Sequence, residues 1–258
     1  MKSITEDAVR SALQNPAVQV FAFDEIDSTN NFVKKLLTSE KMTTPVFAVT
    51  GRQSAGRGRL GHTFFSPEGG LYMTLSIMPE NEMLSMQMMT VAAAVAAVEA
   101  IEMTTGIRCG VKWVNDIYYR ERKLAGILCE APRRADGTLA GIVCGIGINV
   151  YQKEFPEELK NIAISLGDPE TDRNVLAANF VKRLLYWSGH LESKELMDAY
   201  REYSFLIGRS VRFKRDGREI EGIVSGIRDD GNLMIAVDQG ETVSLNSGEI
   251  SLSDWERK

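Results

Sequence analysis

The chain has 258 residues, 44% of them hydrophobic and 25% charged, with a net charge of -5. That length supports one large core plus a small second unit, and that composition excludes a disordered, collagenous or coiled-coil chain. The negative balance excludes a protein whose main task is to neutralise a phosphate backbone, so any cationic site must be local.

The opening MKSITEDAVRSALQ carries acidic residues in its first turns and lacks the basic-then-apolar layout of a signal peptide, so a cytoplasmic protein is expected. A short helix up to Asn15 and Pro16 leads to a strand over 18–23. DSTN at 27–30 offers N-caps for a helix whose apolar stripe is Phe32, Val33, Leu36 and Leu37. VFAVT at 46–50 is strand-like and runs into the glycine- and arginine-rich segment GRQSAGRGRLG at 51–61; LYMTLSI at 71–77 alternates with period two. A helix is expected over 84–103. Its most apolar run, Met88 to Val98, is far short of the roughly 20 residues that cross a bilayer, so no membrane is implied. Short strands follow around VKWV, DIYY, LAGILCE and TLAGIVCGIGINV, then helices near 173–187 and 194–206.

From Gly208 the pattern changes to five short strands, RSVRFKR, EIEGIVSGI, LMIAV, ETVSL and EISL, separated by DG, DDG, QG and NSG. Five strands in so short a segment predict a small β-barrel. The fold class expected is therefore α+β with a mixed or antiparallel sheet, as a domain over 1–207 followed by a C-terminal β-barrel over 208–258.

Cys109, Cys129 and Cys144 are odd in number and lack a CxxC spacing, and are read as small buried hydrophobes in a reducing compartment. His62 and His190, the only histidines, are not paired with cysteine or histidine at ligand spacing, so a zinc site is not expected.

In 51–61, Gly51, Gly56, Gly58 and Gly61 alternate with Arg52, Arg57 and Arg59. Backbone amides can approach a ligand there while guanidinium forks reach anionic oxygens. The segment is not a Walker loop. GRGRLG has dinucleotide-fingerprint spacing, but arginines stand where a pyrophosphate must approach and no helix pattern follows. A phosphate-binding loop and a solvated basic loop both fit the spacing.

This loop and its companions resemble the biotin protein ligase family. DSTN at 27–30, QSAGRGRLG at 53–61, SPEGGLY at 66–72, KWVND at 112–116, RKLAGILCE at 122–130 and GIGINV at 145–150 stand in the family's order and approximate spacing. The resemblance implies a class II aminoacyl-tRNA-synthetase-like catalytic domain with an SH3-like barrel. It implies an enzyme that adenylates biotin with ATP and Mg²⁺, releases pyrophosphate, and passes biotin to a lysine of a biotin carboxyl carrier protein domain. Ser28, Thr29, Asn30, Gln53, Arg57, Gly58, Arg59, Lys123 and Gly126 match its biotin-binding positions, and Arg57, Arg59, Phe64, Lys112, Asn115 and Asn149 its nucleotide positions. Arg59, Lys123 and Asp116 match the catalytic ones. Lys123 would sit by the biotin carboxylate and α-phosphate, and Asp116 would orient or deprotonate the acceptor amine. No protein-bound metal is implied beyond Mg²⁺ carried with ATP.

Two positions depart from the family pattern. Val114 stands where KWPND has proline, and Phe64 where many members have a tryptophan that helps cover the adenine; Phe64 can still stack. The nearest alternatives are a lipoate or octanoyl ligase or transferase, and a biotin-sensing repressor. GRGRLG and KWVND argue against the first. About 20 residues precede the first core strand, too few for a three-helix DNA-binding module, so no direct DNA contact is expected. The resemblance allows a homodimer through sheet edges.

Overall fold

The computed structural model describes residues 2–39, 42–78, 86–215, 217–237, 240–248 and 250–253. Residues 84 and 85 of the expected third helix and the turn or strand positions Asp216, Gln239 and Glu249 lie outside the described residues.

α1 (Glu6–Leu13) starts where the Thr5 hydroxyl accepts from the Ala8 amide, and ends at Gln14 in the left-handed region. β1 (Gln19–Phe23), α2 (Thr29–Ser39) and β2 (Val46–Thr50) form a strand–helix–strand unit whose two strands are parallel. β3 (Leu71–Ile77), β4 (Gly110–Lys112), β5 (Asp116–Tyr119), β6 (Arg122–Glu130) and β7 (Ile142–Ile148) extend this into a seven-stranded sheet of order β1-β2-β3-β7-β6-β5-β4, antiparallel after the first pair. The expected mixed sheet is present.

Both faces of the central strands are buried. On one face Phe47, Val49, Met73, Leu75, Cys144 and Ile146 join the main core with α1, α3 (Met86–Thr105) and α4 (Arg173–Ser188). On the other, Val46, Ala48 and Val143 pack with Val33 and Leu37 of α2. The period-two alternation of LYMTLSI is thus real but separates two dry faces: Thr74 and Ser76 are fully buried. Their hydroxyls are hydrogen-bonded, as burial requires; Ser76 Oγ accepts from the Val46 amide.

α3 is 20 residues long and apolar enough on length and composition to span a bilayer, longer than the 11-residue run that stands out in the sequence. Its apolar residues face every direction, and nearly all from Met88 to Ile101 are buried between the sheet and α4, while Met103 near its end is exposed. A helix hydrophobic all round needs such a position, and its run of alanines lets a neighbouring helix come close.

α5 (Lys194–Tyr203) stops three residues before the expected end, because Ser204 leaves the helix to bridge Val111 of β4. The segment beyond forms a second, antiparallel sheet of order β11-β10-β9-β8-β12: β8 (Ser210–Arg215), β9 (Arg218–Ile227), β10 (Leu233–Ala236), β11 (Thr242–Leu245) and β12 (Ile250–Leu252). Its apolar side chains are continuous with the main core. The indole of Trp113, buried in the core, donates to the Gly231 carbonyl at 2.9 Å, and Arg201 Nε donates to the Ile227 carbonyl at 2.8 Å. The first bond docks the second sheet against the β4–β5 turn, beside the residues considered next, and the second docks it against α5.

Candidate active site

The segment 51–66 is a small hairpin rather than an open loop. Backbone bonds from Gly58 N to His62 O and from Phe64 N to Gly56 O close it, and its tip is a turn over Arg59–Gly61 in which Leu60 and Gly61 have φ of 53° and 81°. Gln53 anchors its base, with its amide donating to Ser66 O and a parallel bridge to Ile26. Gly56 is required there, since an added Cβ would lie 2.2 Å from Ser66 Oγ. The hairpin folds over one end of the sheet.

Beneath it is a narrow pocket, open to solvent, lined by Ser28, Thr29, Asn30, Gln53, Arg57, Phe64, Gly126, Leu128, Gly145, Ile146 and Gly147. Its polar groups form one network. Gln53 Oε1 accepts from the Thr29 amide at 2.8 Å and from Thr29 Oγ1 at 3.2 Å, and Gln53 Nε2 donates to Ser66 Oγ. Thr74 donates to Asn30 Oδ1 at 2.6 Å, and Asn30 Nδ2 donates to Leu128 O and Glu130 Oε2. Ser28 Oγ accepts from the Asn31 amide, so the capping role expected of DSTN is present together with the cavity placement.

Glu130 gathers the charges around this cavity. Its carboxylate pairs with Lys34 at 2.8 Å and lies 3.9 Å from Arg57, which itself donates to Asn31 Oδ1. Burial pushes the Glu130 carboxyl up, but bonds from Lys34 and Asn30 and the charges of Lys34 and Arg57 outweigh it and hold the group below the ordinary carboxylate value. A depressed folded value means stability that is present above the unfolded pKa of about 4.3 and is lost as pH falls through the folded value. Glu130→Gln should therefore be less stable than the parent at neutral pH, and the gap should close on acidification. Urea titrations at neutral and acid pH read this; an equal gap at both would refute it.

A second, roomier pocket shares Phe64 with the first and includes Gly58, Arg59, Lys112, Trp113, Asn115, Asp116 and Lys123 among its walls. KWVND is the β4–β5 hairpin: Lys112 and Asp116 face each other in register, and the turn 113–115 holds a cis Trp113–Val114 peptide, where the family pattern has proline. Lys123 on β6 pairs with Asp116 at 2.8 Å. Arg59 Nη1 donates to Asn115 Oδ1 at 2.9 Å, and Asn115 Nδ2 donates to Ile127 O. Three cations and one carboxylate converge here, leaving a local positive excess on an acidic chain. Gly248, Ile250 and Ser251 of the second sheet complete the wall.

A third, more apolar cavity is lined by Phe64, Phe65, Lys123, Asn149, Phe155, Leu159, Ile162 and Ala163, among others. Asn149 is buried, and its Oδ1 accepts from Gln152 Nε2 at 3.0 Å. The segment that carries Phe155 and Ile162 is pinned to β6 by bonds from Lys123 N to Ile162 O and from Ile164 N to Lys123 O. Phe155, Leu159 and Ile162 were not singled out from the sequence. Their signal is tertiary: Ile162 is 53% exposed, an apolar side chain left open at a cavity mouth.

The ring of Phe64 lines all three cavities. It rests on Gly126 and Gly147, paired across β6 and β7, where an added Cβ would come within 3.1 Å and 2.5 Å of it. Of the expected site residues, Ser28, Thr29, Asn30, Gln53, Arg57 and Gly126 share the first cavity. Gly58, Arg59, Lys112, Asn115, Asp116 and Lys123 share the second, and Asn149 lies in the third. The two loop arginines are thus divided, with Arg57 on the first cavity and Arg59 on the second. Among the described residues no cluster of three or more His, Cys, Asp or Glu could hold a metal ion.

Comparison with known proteins places the chain in a family. Residues 22–149 match the biotin/lipoate A/B protein ligase family, and residues 206–253 match the biotin protein ligase C-terminal domain. The bifunctional ligase/repressor BirA of Salmonella typhimurium is 31% identical over 97% of this chain and 78% of its own length, and that of Escherichia coli is 31% identical over 90% and 73%. The biotin protein ligase of Aquifex aeolicus, solved in complex with biotin and ATP, superposes with a TM-score of 0.78 at 29% identity, covering 91% of this chain and 98% of that one. With its hairpin folded over a polar, a cationic and an apolar cavity that meet at one ring, the chain belongs to the biotin protein ligase family.

Proposed function

We propose that the chain forms biotinyl-5'-AMP from biotin and ATP and transfers the biotinyl group to a lysine of a carrier-protein domain. The observation that carries the reading is the order of the three cavities around Phe64: a hydrogen-bonding pocket, a cationic one, and an apolar one. That order matches the three parts of an acyl-adenylate, namely head group and chain, phosphate, and adenine.

The ureido ring of biotin has both donors and acceptors, which the network of Thr29, Asn30 and Gln53 can meet. The carboxylate then reaches the second cavity, where it attacks the α-phosphorus and pyrophosphate leaves. Both reactants are anions, so the residues' task is to position and neutralise, and Lys123 and Arg59 supply the charge. Mg²⁺ arrives as part of the MgATP substrate. In the second step a neutral lysine amine attacks the carbonyl of the mixed anhydride and AMP leaves. Asp116 holds Lys123 in this state, so it positions that lysine first; it becomes available to the acceptor amine only when the Lys123 pair loosens toward the adenylate.

The five antiparallel strands after Gly208 and their short turns support an SH3-like barrel over 208–258, and the strand–helix pattern before it supports a class II synthetase-like domain over 1–207. The acceptor is a biotin carboxyl carrier protein domain. A cytoplasmic setting, self-association through sheet edges and no direct DNA contact complete the proposal; the net charge of -5 supports the last.

The rival substrate is lipoate, whose dithiolane would leave the polar floor unpaired. A site built for a polar group rejects an analogue lacking it by factors up to about 10⁴–10⁵. The test is pyrophosphate release with MgATP and either acid. Biotin should support turnover and lipoate should not; equal or lipoate-selective turnover would overturn the assignment.

A further inference from the structure

The sequence shows three scattered cysteines, and the sheet brings two of them together. Cys129 on β6 and Cys144 on β7 are directly opposed in the antiparallel register. The ladder bond from Asn149 N to Leu124 O makes 124/149 a hydrogen-bonded pair, and counting along the strands makes 129/144 a non-hydrogen-bonded one. Cα atoms in such pairs lie about 4.5 Å apart with side chains on one face. That separation falls within the range of about 4.4–6.8 Å that a disulfide spans. Both cysteines are free thiols in this structure.

The two thiols differ in access. Cys144 is fully buried, whereas Cys129 is half-buried, against the expectation that all three are enclosed, and it lines a pocket open to solvent together with Arg59, Gln87 and Thr90. A partly exposed sulfur at a pocket wall is open to a small oxidant, whereas a fully enclosed one is not. A hydrogen bond between the two thiols, followed by burial, raises the Cys144 pKa above the ordinary thiol value. Cys144 is therefore a weak nucleophile by acidity, and its fixed proximity to Cys129 compensates. Cys109 is also buried; burial and the charge of Glu102 push its pKa up to about 12, and it shares no register with either partner.

We infer that Cys129 and Cys144 form a redox site, a dithiol that a peroxide converts within the folded protein to a cross-strand disulfide. The Cys129 sulfur attacks one peroxide oxygen, the O–O bond breaks, and water leaves, giving a sulfenic acid. The Cys144 sulfur then attacks Cys129 Sγ; the S–O bond breaks and the departing hydroxide takes the Cys144 proton as a second water. Two thiols and one hydrogen peroxide thus become one disulfide and two waters. The bridge closes the pair next to Leu128 and Gly145, both of which line the first cavity.

The test treats the purified full chain with hydrogen peroxide, then denatures it, alkylates free thiols and maps the peptides. Two of the three cysteines should escape alkylation, linked as 129–144 in monomeric chains, and dithiothreitol should restore both. Cys109→Ser should leave this unchanged. Cys144→Ser should instead trap a sulfenic acid on Cys129, detectable with a dimedone probe. Full alkylation of Cys144 in peroxide-treated parent protein, or a bridge to Cys109 or between chains, would overturn the proposal. Because the parent chain carries the main result, no variant's folding decides it.

Discussion

Lys123→Ala is expected to lower the rate of adenylate formation by about 10²–10³-fold, equivalent to about 2.7–4 kcal/mol of transition-state stabilisation. Lys123 lines the second and third cavities and reaches the edge of the first: its Nζ lies 3.4 Å from where a Cβ on Gly126, a wall of the first, would be, and 2.8 Å from Asp116. It is therefore the cation best placed to meet both the attacking carboxylate and the α-phosphate. Because that charge matters most as the new P–O bond forms, kcat should fall more than KM rises. Pyrophosphate release under saturating biotin and ATP measures this. Lys123→Arg keeps the charge but not the point geometry, so it should recover only part of the rate. An alanine variant within threefold of the parent would remove Lys123 from the reaction.

The second large effect is expected from Gly145→Ala. A Cβ there would lie 1.8 Å from Asn30 Oδ1 and 2.7 Å from its Cγ, so Asn30 must leave its place. Asn30 is held from three sides, by Thr74, Leu128 O and Glu130, and expelling it leaves buried polar partners unpaired at a cost of about 1–3 kcal/mol. The same movement deforms the first cavity, so the KM for biotin should rise by about 100-fold, or about 2.7 kcal/mol, while the KM for ATP changes little. Steady-state titration of each substrate separates the two. Gly226→Ala, where an added Cβ meets nothing within 4 Å, is the control for adding a methyl group to a strand glycine. A normal biotin KM in Gly145→Ala would show that the cavity beneath the hairpin does not hold biotin.

These two substitutions report on different parts of one surface. Strands β6 and β7 alternate large residues toward α3 with Gly126, Gly145 and Gly147 toward the hairpin. The glycines are there because the opposite face must admit Asn30, the Phe64 ring and a ligand. Adding side chains on that face would fill the site with protein. Phe64 also answers what its smaller ring does in place of a tryptophan: it seats on two glycines and borders all three cavities.

Much of the molecule could be read from local chemistry. Caps and periodicity placed α1, α2, α4 and the five strands of the second sheet, because each depends on neighbours within a few residues. The loop at 51–61 fitted either anion binding or a solvated basic loop on its spacing, and the ordered motifs around it identified the family. Other properties required distant parts to meet. Nothing local to RERK distinguishes Lys123 from a solvated charge; the β5–β6 ladder sets it against Asp116. Arg57 and Arg59, two residues apart, look equivalent until the hairpin turns one toward Asn31 and Glu130 and the other toward Asn115. Phe155 and Ile162 have no motif, and only their docking on β6 makes them a wall. Cys129 and Cys144 are 15 positions apart in sequence and opposite each other in space. The sequence by itself determined the elements and the class of chemistry, which follow from short-range propensity and residue type. Which charges pair, which face is open and which thiols meet was decided by strand register, a long-range relation that no single segment encodes.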